Sequence, residues 1–191
     1  MGNKIKQNKK RFFYPPEYEK MFDNLNKNGM FTARFMINTG ARISEAKWFT
    51  KNPVFDSQRK NIILLKTKVR ARLKEKKPEP RTLPVSKTFF NQLKKEIKTH
   101  RILSTNAFNI ALRKACKEAR IPNDDEFSSH NIRKTFATWC LSLGVNSDNL
   151  AKHLGHTPSE LAKDYATNDV FNHQDKQIIR SILKDLPDRI H

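Results

Sequence analysis

The stretch that decides the reading is "SSHNIRKTFATWCLSLGVNSDNLAKHLGHTPSELAKDY", residues 128–165. Ile132, Phe136, Cys140 and Leu143 recur at steps of four, four and three, which predicts a helix with one buried stripe. Gly144 and Gly155 then break the pattern into short helices. His130, Arg133, His153, His156 and Tyr165 lie along the same segment, and a soluble helical stretch needs none of them merely to fold.

Outside this segment the pattern is again mostly helical. "YPPEYEKMFDNLNK" starts a helix at Pro15–Pro16, where proline is favoured. "MFTARFMINTG" sets Phe31 and Phe35 one turn apart and stops at Gly40, and "RISEAKWF" follows as a short helix. Two stretches read as strands, residues 60–68 and 80–86, with the basic, proline-ended 69–80 joining them as a hairpin loop. Helices resume in "KTFFNQLKKEIKTH" and "STNAFNIALRKACKEAR", and an amphipathic C-terminal helix spans about 170–186 before Pro187. The expectation is a mainly α (α+β) domain over 14–191 with a small antiparallel sheet, preceded by a mobile basic tail over 1–13.

Charge narrows the partner. The 191 residues carry 38 Lys and Arg against 19 Asp and Glu, a net charge of +19. Solubility needs a magnitude of only about 2–8 in a small domain, so the excess points to a polyanion, nucleic acid above all. Cys116 and Cys140 form no CxxC pair and read as reduced core residues of an intracellular, cytoplasmic protein. No apolar run is long enough for a membrane span, and the start lacks an apolar signal-peptide region.

The polar residues suggest one chemistry. His130 and Arg133 share a helix face, as do Arg42 and Glu45 in "TGARISE". Two guanidiniums can grip the non-bridging oxygens of one phosphate, each such donor being worth about 3 kcal/mol in a transition state. Imidazoles move protons near neutral pH, a tyrosine can serve as covalent nucleophile, and a lysine ammonium suits a leaving alkoxide. Together they describe phosphodiester transesterification without a metal. His153 and His156 are divided by Gly155 and have no Cys, Asp or Glu at ligand spacing, so no metal and no cofactor are expected. "NDDEF" (123–127) reads as acids beginning a helix. Taken alone, Arg42 and Glu45 fit a surface ion pair worth under about 1 kcal/mol.

In order, "TGARISE", Lys66, "HNIRKTFAT", "LGH" and Tyr165 resemble the tyrosine recombinase, or phage integrase, family, over roughly residues 15–170. The resemblance implies that Arg42 and Arg133 clamp the scissile phosphate, with Glu45 orienting the site. It makes Lys66 the general acid for the 5′ oxygen, with Lys68 as runner-up, and His130 the base or partner of the nucleophile. His156 becomes a phosphate ligand, and Tyr165 forms a 3′-phosphotyrosyl bond. Tyr14 and Tyr18 lack the spacing from "LGH" and read as packing or linker residues. Lys68, Arg70, Arg72 and Lys134 are expected to contact DNA. Lys134 stands where many bacterial members have histidine, "ATN" follows the tyrosine where Thr-His is frequent, and the family's N-terminal core-binding domain is not found in these residues. The implied function is a site-specific recombinase acting on double-stranded DNA as a homotetramer. The alternatives are type IB topoisomerase-like relaxation and a non-catalytic nucleic-acid-binding protein of the same shape. The C-terminal helix, with Ile178, Ile179, Ile182 and Leu183, is expected to pack on a neighbouring protomer.

Overall fold

The computed structural model describes residues 11–64, 80–165 and 170–190, with the backbone alone for 163–165. Helix α1 (Pro15–Asp23) opens on its two prolines, and the Glu17 carboxylate accepts the Tyr14 backbone N–H at 3.1 Å. Helix α2 (Lys27–Ile37) is capped by the Asn26 side chain, and α3 (Ile43–Lys51) begins directly after the turn at Gly40. Strands β1 (Phe55–Asp56), β2 (Asn61–Leu64) and β3 (Arg81–Pro84) form an antiparallel sheet in the order β1-β2-β3, with Ile62 opposite Leu83 and Leu64 opposite Arg81. β1 is an addition to the expected hairpin, because a two-residue strand is too short to leave an alternating pattern. Ile62 and Leu64 are buried while Asn61 and Ile63 are half-buried, so one face of the sheet packs on the helices.

Next come α4 (Lys87–Glu96), α5 (Thr105–Glu118), α6 (Ser129–Ser142), α7 (Ser147–Leu154), α8 (Pro158–Tyr165) and α9 (His173–Leu183). The acids of "NDDEF" form a 3-10 turn, Asp124–Glu126, rather than the start of an α-helix; Ser128 caps α6 instead. Among the described residues, no helix is long and apolar enough to cross a membrane.

Helix α6 is the axis of the fold. It packs against α2, α5, α7, α8 and α9, and every residue from Asn131 to Cys140 is buried. The single stripe expected from sequence is therefore too narrow, since between Asn131 and Cys140 neighbouring helices leave no solvent face. Its polar residues survive burial by bonding locally. Thr135 Oγ1 donates to Asn131 O at 2.8 Å and accepts the Phe13 N–H at 2.9 Å. Cys140 is enclosed in the same helix and Cys116 in α5; burial pushes both thiols up, Cys116 to about 12.

Both ends of the described chain pack into the body of the fold. Residues 11–13 belong to the packed body: Phe13 is fully buried, stacks on Phe127 at 4.1 Å between ring centroids, and accepts the Trp139 Nε1–H at 3.1 Å. An aromatic side chain of this size gains too much from leaving water to remain in a mobile tail. At the other end, α9 turns its apolar face onto its own chain, against α1 and α6, with Ile179 and Leu183 fully buried. Leu186 and Ile190 continue the contact, and the Arg189 guanidinium donates to the carbonyls of Val85 and Arg59. Of the stripe read from sequence, Ile179 and Leu183 are covered by their own chain, while Ile178 and Ile182 are half-buried. Leu183→Ala is expected to lower stability by about 2–5 kcal/mol, the range for emptying a buried leucine site, measured as a shift of the urea midpoint at constant slope.

Candidate active site

Four segments meet at the N-terminus of α3, one of them the end of α7 that carries Leu154 and His156. The first is "TGARISE". Gly40 has φ +60, and a Cβ there would lie 2.5 Å from the Phe136 ring and 2.7 Å from Leu154, so only glycine brings this turn against α6 and α7. The tight turn exposes two carbonyls toward the interior. Thr39 O meets His153 Nε2 at 2.9 Å, and Gly40 O accepts Arg133 Nη1 at 2.5 Å. Arg42 then occupies the N-cap of α3. The Glu45 carboxylate reaches back to the Arg42 backbone N–H at 2.8 Å and to its guanidinium at 3.1 Å, the second half of a capping box.

Arg133, on α6, is the second contributor and is 1% exposed. A guanidinium so deep needs its donors matched. Nη1 donates to Gly40 O and Nη2 to Leu154 O, both at 2.5 Å; Nη2 also lies 3.0 Å from His156 Nε2, and Glu45 Oε2 stands 3.9 Å from Nη1. An arginine can only donate, so His156 accepts through Nε2 and, when neutral, carries its proton on Nδ1. His156 is delivered by the left-handed Gly155, φ +68, which ends α7 immediately before it.

The third contributor is Arg81 on β3, which sequence reading passed over as an ordinary strand residue. Its Nη1 donates to the same Leu154 carbonyl at 2.5 Å, and its Nη2 pairs with Glu45 Oε2 at 3.1 Å. Burial lowers its basicity; Glu45 opposes that shift and the Arg42 charge adds to it. A signal was present in the sequence, since Arg81, Leu83 and Val85 fall on one face at the strand period of two, and Leu83 and Val85 are fully buried. Glu45, itself 2% exposed, is therefore the shared anion of Arg42, Arg81 and, more distantly, Arg133. The surface-pair reading of Arg42 and Glu45 does not hold.

Arg42, His130 and Arg133, with Met36, Ile43 and Ser129, line one cavity of about 80 Å³. His130 is exposed at its rim and Arg42 half-buried. A larger cavity of about 530 Å³ between α1, α2 and α4 shares no lining residue with it; the smaller one is taken as the site because the cationic groups converge there. Tyr165 is the last residue of α8, which packs on α6 and α7. Lys66, Lys68, Arg70 and Arg72 lie outside the described residues. Lys134 is 8% exposed, within the enclosed part of α6 rather than on an open basic face.

His153 does a different job. It is buried, stacks on Phe136 at 5.4 Å between centroids, and its Nε2 donates to Thr39 O, since a carbonyl can only accept. Burial pushes its pKa down to about 3, against a smaller upward effect of the Thr39 bond and further lowering by Arg81 and Arg133. It is a neutral strut under the "TGAR" turn. Among the described residues, no three His, Cys, Asp or Glu side chains gather as a metal site.

A model of the phage integrase family matches residues 11–171. No curated protein matches the chain by sequence. Two solved structures share the fold. Against XerA recombinase the TM-score is 0.60 at 16% identity, over 90% of this chain and 62% of that one. The second, XerH site-specific recombinase bound to palindromic difH substrate in a post-cleavage complex, gives 0.61 at 13% identity, over 94% of this chain and 54% of that one. The chain thus spans under two thirds of the length of either neighbour.

Glu45→Ala leaves clustered cations without their carboxylate and is expected to destabilise the fold by about 3–5 kcal/mol in urea unfolding. His153 predicts a pH dependence. Its folded pKa is depressed below the ordinary 6.5, so between about pH 6.5 and 3 the unfolded chain binds a proton that the folded chain refuses. The neutral strut's contribution is complete above pH 6.5 and shrinks as pH falls, by roughly 2 kcal/mol at pH 5. Urea midpoints at pH 7.5 and pH 5 measure it, and His153→Gln is expected to flatten the difference.

Proposed function

The chain belongs to the phage integrase family, and from that premise we propose that it cuts and rejoins double-stranded DNA as a site-specific recombinase, with Tyr165 as nucleophile and without a metal ion. The phenol oxygen attacks the scissile phosphorus; a 3′-phosphotyrosyl bond forms as the bond from phosphorus to the 5′ oxygen breaks. The phenolic proton passes to His130, and Lys66 gives a proton to the departing 5′ oxygen. Arg42 and Arg133 hold the non-bridging oxygens and carry the charge that grows in the transition state, with His156 beside Arg133 as a further ligand. The adduct conserves the energy of the cut bond, so the reverse attack reseals the strand without a nucleotide cofactor.

The observation that carries this reading is the cavity of about 80 Å³ on which Arg42, His130 and Arg133 open together. The two arginine charges would be a costly arrangement for packing alone, while a phosphate entering the cavity meets donors already fixed in place. The net charge of +19 favours the same kind of partner. Exchange between two duplexes needs one active site for each strand exchanged, so assembly as a homotetramer on DNA belongs to the same proposal.

The test is a gel. A library of nicked duplexes of random sequence, incubated with the protein in EDTA, is expected to yield a protein–DNA adduct that survives detergent. Tyr165→Phe is expected to yield none while still binding the library. An equal adduct from the Phe variant, or none from the wild type under any ionic strength that permits binding, would sink the assignment.

A further inference from the structure

We propose that Arg81 is a positioning residue of this site, a buried brace that holds Arg133 and the His156 turn in their working geometry without touching substrate. The proposal rests on the recombinase reading above. Arg81 and Arg133 come from different elements, β3 and α6, yet they share one hydrogen-bond acceptor and one counter-ion. Leu154 O takes Arg81 Nη1 and Arg133 Nη2, both at 2.5 Å. Glu45 Oε2 takes Arg81 Nη2 at 3.1 Å and stands 3.9 Å from Arg133 Nη1. The two guanidiniums are thus locked to each other through a carbonyl and a carboxylate, and neither can turn without disturbing both.

The Leu154 carbonyl is one residue from Gly155 and two from His156, so the same brace sets where the His156 ring begins. Gly155 fits this role: a Cβ there would run into Arg81 Nη1, and its φ of +68 already disfavours a side chain. The turn itself calls for the glycine of "LGH", and the guanidinium fills the space beside it. Arg81 is absent from the lining of the Arg42–His130–Arg133 cavity, which puts it behind the phosphate ligands rather than among them. It reaches carbonyl and carboxylate at once through the planar fork of an arginine, which a lysine ammonium on a flexible stem does not reproduce.

Arg81→Lys keeps the charge and loses the fork. It is expected to remain folded by circular dichroism and to bind the nicked library as the wild type does. Its single-turnover rate of adduct formation at saturating DNA is expected to fall about 10- to 100-fold, the scale set by a displacement of about 1 Å at a reacting centre. The His156 ring resonances, read by NMR without DNA, are expected to shift. Arg81→Gln, uncharged and still able to donate to one carbonyl, is expected to show both effects more strongly. Wild-type adduct formation in Arg81→Lys overturns the proposal, as does a loss that appears only as weaker DNA binding. Unfolding of both variants also overturns it, because Arg81 would then be a stability element. If the wild type itself makes no adduct, the recombinase reading fails separately, and an unchanged His156 signal in Arg81→Lys still overturns the brace.

Discussion

Everything in this molecule is arranged around a cation that cannot leave. Arg133 sits 1% exposed in a helix that other helices enclose, and an unpaired guanidinium there would cost several kcal/mol. The cost is offset by groups from separate parts of the chain: Gly40 O from the turn before α3, Leu154 O from the end of α7, the His156 ring and, at longer range, the Glu45 carboxylate. Each of these must arrive for the charge to be tolerated. The site and the tertiary fold therefore form together, and the loops that carry Arg42 and His156 are held in place by the need to satisfy an arginine.

Glu45 extends the same logic outward. Its two oxygens serve the backbone N–H of Arg42 and the guanidiniums of Arg42 and Arg81, so a single buried anion ties a helix cap, a strand and the enclosed arginine into one unit. The two glycines give the network its closeness: Gly40 lets the turn lie against Phe136 and Leu154, and Gly155 lets the end of α7 lie against Arg81. His153, neutral under the Thr39 carbonyl, supports the turn from beneath. A network built this way holds its donors already oriented by the fold.

Much of this was legible in the chain. Apart from the helix start read into "NDDEF", the expected helices are present near their predicted places, because capping residues and apolar spacing are local signals. The two principal strands pair as a hairpin's would, Leu64 opposite Arg81. Arg42, His130 and Arg133, chosen from sequence, open on one cavity. What sequence reading missed shares one cause, which is that burial is decided by neighbours distant in the chain. Helix α6 looked one-sided because its Thr and Lys residues are polar by type; enclosure made Lys134 a buried residue. Two residues of the α9 stripe, Ile179 and Leu183, pack into their own chain against α1 and α6, and Ile178 and Ile182 stay half-buried. Phe13 looked like the end of a tail and proved to be core.

By itself, then, the sequence determined the types and order of the elements, the strongly basic balance, and the ordered motifs that place the chain in the phage integrase family, since each depends on residues within a few turns of one another or on simple addition. Only the tertiary structure decided that Glu45 is shared by several guanidiniums, that Arg81 belongs with them, and that His153 and His156, three residues apart, hold opposite tautomers in different roles. Those facts are set by which carbonyls and carboxylates lie within about 3 Å of a donor once the core has closed, and hydrogen bonds fall off too steeply with distance and angle for residue order to specify them.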